Sequence, residues 1–96
     1  MLTSDDKYWS SLNREQILSN AQLWSKKFTT KRLEAFIGWY SSLITKIFGQ
    51  LTEQEKQGEI TERTQSIEAL TNRKQTALVA RFIRECPKEE IPAWIW

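Results

Sequence analysis

Histidine is absent from the 96 residues, so no imidazole is available to move a proton near neutral pH. The serines and tyrosines therefore have no candidate base, and no Ser-His-Asp or Cys-His triad can be assembled. Glycine-rich phosphate loops and the H-x-x-x-H and C-x-x-C metal spacings are missing as well. Glu55, Glu59 and Glu62 share a helical face at i, i+4 and i+7, with Glu53 beside them. Such a set can hold a hard cation loosely. It is also what the start of a helix selects, because the dipole favours negative charge there, and that account is the stronger one. No catalytic residue, metal or cofactor is expected, and the chain is not expected to be an enzyme.

Cys86, the one cysteine, precedes Pro87. No histidine exists to complete the axial pair of a haem, so it reads as a half-buried thiol at a helix end. Charge is more informative. The net charge is +2, but residues 25–50 carry +4 while the flanking stretches are near neutral. Lys26, Lys27, Lys31 and Arg32 bracket one turn around Phe28 and form a candidate polyanion site. Lys31 and Arg32 at a helix start oppose its dipole, so something other than helix stability selects them. The other candidate is the C-terminal tail. Ile91, Trp94, Ile95 and Trp96 gather apolar surface where chains are normally polar and frayed. Such a tail either closes its own core or serves as a docking peptide whose tryptophans fill pockets on a partner.

A mixed composition, 40% apolar and 27% charged, excludes a histone-like basic protein and a disordered acidic tail. The length allows one domain, residues 1–96. The first six residues lack a basic stretch followed by an apolar one, so no secretory signal is expected. The longest apolar stretch, Ala35 to Tyr40, is far short of the ~20 residues that span a bilayer. A cytoplasmic location without a membrane span is the simplest expectation, and a lone cysteine agrees with it.

Three helical patterns must position these groups. The first covers about 4–28, with Ser4 at its cap and Ile17, Ala21, Trp24 and Phe28 at helical spacing. Asn13 with Gln16 forms a second cap-like pair that would break it near Leu12. The second covers about 30–48, from Thr29 or Thr30 to a left-handed Gly49. One of its faces is strongly apolar, and the other (Ala35, Gly38, Ser41, Ser42, Thr45) is small. The third covers about 52–86, from the capping box Thr52-Glu55 to Pro87, with Gly58 able to bend or split it. Its first half is sparsely apolar and either projects or finds a partner. The tail, 87–96, is expected to be extended.

The fold expected is therefore all-α: a small bundle of an antiparallel helical hairpin, a long third helix and an extended tail. The leading functional expectation is a protein-interaction module that regulates or inhibits a larger protein, or else self-associates as a dimer. Ile60, Ile67, Ile91, Trp94, Ile95 and Trp96 are its expected contact residues. The alternative is a small nucleic-acid-binding protein that uses Lys26, Lys27, Lys31 and Arg32.

Overall fold

Side chains three residues upstream of a free backbone N–H decide where each helix begins. In the computed structural model, which describes residues 2–96, Thr3, Asn13, Thr29, Thr52 and Thr61 cap helices α1 (Ser4–Ser10), α2 (Arg14–Lys27), α3 (Thr30–Phe48), α4 (Glu53–Lys56) and α5 (Glu62–Glu85). Four of the five caps are reciprocal boxes, with the third helical residue returning a hydrogen bond to the cap. Helix covers 75% of the chain, and no strand forms among the described residues.

Several boundaries differ from the sequence expectation. Thr3, not Ser4, caps α1, because Asp6 lies at the position that can answer Thr3. The segment 4–28 is two helices, broken at Leu12 and Asn13, where the Asn13–Gln16 pair was expected to break it. The segment 52–86 is also two helices, and of the bend or split that Gly58 allowed the structure takes the split. Gly58 adopts φ +114°, a conformation that L side chains rarely adopt, and the chain restarts at Thr61. Gly49, by contrast, stays right-handed at φ −65° and donates back to Thr45. As expected, α5 ends beside Pro87, with the Cys86 N–H bonded to the Phe82 carbonyl at 2.8 Å.

Helix α5 is the centre of the bundle: α1, α2 and α3 all pack against it. Its Ala69, Ala77, Val79 and Ala80 are fully buried. Small side chains on that face let neighbouring backbones come close, so α5 carries the core with little apolar bulk. Leu33, Ala21 and Ile95 join Ala77, Val79 and Ala80 in one buried cluster. The two helices of the expected hairpin, α2 and α3, meet through aromatic side chains at their short link. Phe28 and Phe36 lie 5.0 Å apart edge to face, and Trp24 lies 5.7 Å from Phe28.

Polar side chains of α5 tie down each neighbour in turn. Arg73 donates to Asp6 on α1 at 2.9 Å, Asn72 donates to the Trp9 carbonyl, and Arg84 donates to the Ser25 carbonyl at the end of α2. Arg63 donates to the Gln50 carbonyl beyond α3, and Arg81 faces Glu34 at 3.9 Å. The last two pairs show α3 running antiparallel to α5.

The molecule measures 44 × 26 × 23 Å with a radius of gyration of 14.1 Å. A spherical chain of this length would reach about 12.5 Å. Elongation leaves the end of α3 and the link between α4 and α5 thinly covered, so Phe48 and Ile60 are exposed. No helix is long and apolar enough to cross a membrane among the described residues.

Two carboxylates at the joints make stability depend on pH. Burial works against ionisation of Asp6, but hydrogen bonds from Arg73 and Thr3 outweigh it and hold the carboxyl below its ordinary value. Glu55 is held low by the Thr52 N–H, then by the Thr61 hydroxyl at 2.5 Å. A depressed folded-state pKa gives stability that is present above the unfolded value and lost on acidification. Urea midpoints should therefore fall as pH drops through about 4 and below, and Asp6→Asn should flatten that dependence. A midpoint independent of pH over that window would refute the account.

Candidate functional site

After Pro87 the chain turns back along the bundle and closes with a 3-10 turn at Ala93–Ile95. Ile95 enters the core at 7% exposure, and the Gln75 side-chain amide donates to its carbonyl. The tail is thus part of the fold, not an extended segment. Ile95 corrects the sequence expectation directly, since a residue packed among Ala21, Leu33 and Val79 is not available to dock on a partner. Trp94, next to it, is 79% exposed.

The return path of the tail creates a groove. Leu18 of α2, Ile83 of α5, and Ile91 and Trp96 of the tail, all half-buried, line its apolar part, with Pro87 at one end. Its volume is about 720 Å³, within the range of ligand-sized clefts. The lip is polar and exposed: Gln22, Arg14, Glu15, Glu89 and Glu90. The Arg14 guanidinium lies 4.9 Å from the Trp96 ring centroid, which holds the indole as one wall. Nearby, partial burial and then the Glu89 and Glu85 carboxylates push the Cys86 thiol up.

The other expected residues do not join this groove. Ile60 is 78% exposed, but it lies on the link between α4 and α5, not on a helix stripe. Ile67 is half-buried on α5. Lys26, Lys27, Lys31 and Arg32 are all exposed and do surround one turn. Lys27 and Arg32 lie over Phe28 and Phe36 at 5.4 and 5.3 Å. The acidic residues Glu53, Glu55, Glu59 and Glu62 are not gathered into a cation site. Glu55 is taken up by the cap network, with Arg63 at 3.5 Å.

Sequence reasoning missed Leu18 and Ile83, because their role depends on where the tail returns. Trp39 is 61% exposed, one heptad from both Arg32 and Lys46 along α3. The small face of α3 is open to solvent, and a methyl group added at Gly38 would touch nothing within 4 Å. Comparison with known protein families, curated proteins and solved structures finds no match to this chain.

Proposed function

We propose that this chain is a non-enzymatic interaction module that binds a larger protein and regulates or inhibits it, with the tail groove as its docking site. The observation that carries the reading is an apolar cleft walled by Trp96, with the Arg14 guanidinium over its ring, and left open at the surface. Tryptophan anchors dominate protein interfaces, and leaving their faces in water forgoes about 25 cal/mol per Å² of apolar burial. The lack of histidine and of any activated nucleophile supports a binding role over catalysis.

A second reading, nucleic-acid binding, has one specific support. Trp39 lies exposed on the helix face that begins at the basic turn, where bases can stack while Lys31, Arg32 and Lys46 meet phosphates.

One capture experiment separates the two. Wild type, Leu18→Asp and Trp39→Ala are used as baits in extract from the native cell, with and without nuclease. Under the leading reading a discrete protein is retained by wild type and Trp39→Ala, is lost with Leu18→Asp, and is indifferent to nuclease. Identical retention by Leu18→Asp would sink it. Loss with Trp39→Ala and nuclease, with steep weakening in salt, would move the assignment to nucleic acid.

A further inference from the structure

We infer that the groove takes a segment of the partner protein in which a large apolar side chain is flanked by lysine or arginine. This inference rests on the interaction-module reading above and adds the chemistry of the bound segment. Its basis is the charge at the lip. Glu15, Glu89 and Glu90 stand against one cation, Arg14, and that cation is engaged over the Trp96 ring.

Three of the carboxylates elsewhere on the domain are held by arginines. Asp6 meets Arg73, Glu34 meets Arg81 and Glu55 meets Arg63. The three at the groove form no ion pair among the described residues. They sit on two separate segments, the start of α2 and the tail, and converge on one apolar cleft. An anionic or phosphate-bearing occupant would meet a net negative lip, three carboxylates against one guanidinium. A purely apolar occupant would leave all three carboxylates beside a desolvated surface. An apolar anchor with adjacent cations satisfies both parts of the site, the anchor on Leu18, Ile83 and Trp96, the cations at the lip.

At an exposed lip each charge pair changes affinity only a few-fold, so three together should shift it by about ten-fold or more. The test uses the full chain and three labelled synthetic peptides that share a central Leu-Phe anchor, flanked by lysine, serine or glutamate. Fluorescence anisotropy is read at about 50 and 300 mM salt, either side of physiological screening.

The lysine-flanked peptide should bind about ten-fold more tightly than the serine-flanked one, and the glutamate-flanked one weakest. High salt should shrink these ratios. The double variant Glu89→Lys/Glu90→Lys, in which both sites are exposed, should keep its melting temperature and reverse the order. Leu18→Asp should remove binding of every peptide.

Equal binding of all three peptides, still lost with Leu18→Asp, overturns the charge preference and leaves the groove reading standing. No binding by any peptide at millimolar concentration overturns both. The remaining competitor is a second copy of this chain, whose Trp39 lies between Arg32 and Lys46. A concentration-dependent dimer in light scattering, abolished by Glu89→Lys/Glu90→Lys, would overturn the inference in favour of self-association.

Discussion

Deleting residues 91–96 should leave a chain that melts far below the intact protein or fails to fold. Ile95 sits at 7% exposure in the same buried cluster as Ala21, Leu33 and Val79, and Ile91 and Trp96 pack against that cluster. Removing one buried isoleucine side chain typically costs about 2–5 kcal/mol, and a large aromatic adds a similar amount. Domains of this size have only about 5–10 kcal/mol in total. The single substitution Ile95→Ala is the gentler form, at about 3 kcal/mol, or a fall in melting temperature of roughly 12–24 °C. Trp94→Ala is the control. That side chain is 79% exposed, so its removal should change stability by less than about 0.5 kcal/mol. Thermal melts followed by circular dichroism read all three variants. Should the truncated chain melt with the intact one, the tail does not belong to the core, and the groove it walls does not persist in solution.

Local signals in the sequence were strong enough to place most helix boundaries. Asn13 with Gln16, Thr29, Thr52 with Glu55 and Pro87 all act in the structure as their chemistry dictates. The failures have physical causes. Gly49 and Gly58 look alike in sequence, and nothing local says which will take positive φ. What decides is the Thr61–Thr64 box, which restarts the helix after Gly58. Threonine in place of glutamate at the third position hides that box from a search for the usual pattern.

The packing of α5 across the other helices was legible from its apolar C-terminal half, Ala77 to Ile83, but its alanine stripe was not. A stripe of alanines reads as weakly apolar, yet full burial of Ala69, Ala77 and Ala80 marks close helix approach. Pattern strength measures side-chain bulk, whereas backbone proximity needs the absence of bulk. The groove was least legible of all. Leu18, Ile83, Ile91 and Trp96 come from three segments, and only the folded tail brings them together. Ile91 and Trp96 were singled out for their apolar character at a chain end. The same reasoning also selected Ile95, which the structure places in the core beside them.

The alanine-lined centre of the bundle also sets the second large effect, at Leu33. This residue is fully buried one turn into α3 and is the largest of the side chains with no exposed surface. Leu→Ala substitutions at such sites cost about 2.7–5.0 kcal/mol, the spread reflecting how far the surroundings collapse into the space left behind. Collapse here is limited, because the cluster around Leu33 includes Ala21, Ala77 and Ala80, which have no side-chain length to swing inward. Leu33→Ala should therefore fall in the upper part of the range, about 4 kcal/mol, read from urea denaturation at unchanged m-value. Returning the volume from the facing helix, as Leu33→Ala/Ala77→Leu or Leu33→Ala/Ala80→Leu, should recover part of the loss, since total core volume is kept. Alone, either alanine-to-leucine change should destabilise by about 1–3 kcal/mol through overpacking. A cost below about 1 kcal/mol for Leu33→Ala would mean that α3 closes onto α5 and that the crossing is not rigidly packed. Leu33 does not line the tail groove. Below its lowered melting temperature the Leu33→Ala protein should bind a groove ligand as wild type does, whereas Leu18→Asp, at the edge of the same core, should lose the ligand even at temperatures where circular dichroism shows it folded. That opposition separates a side chain buried wholly inside the bundle from one that also faces the groove.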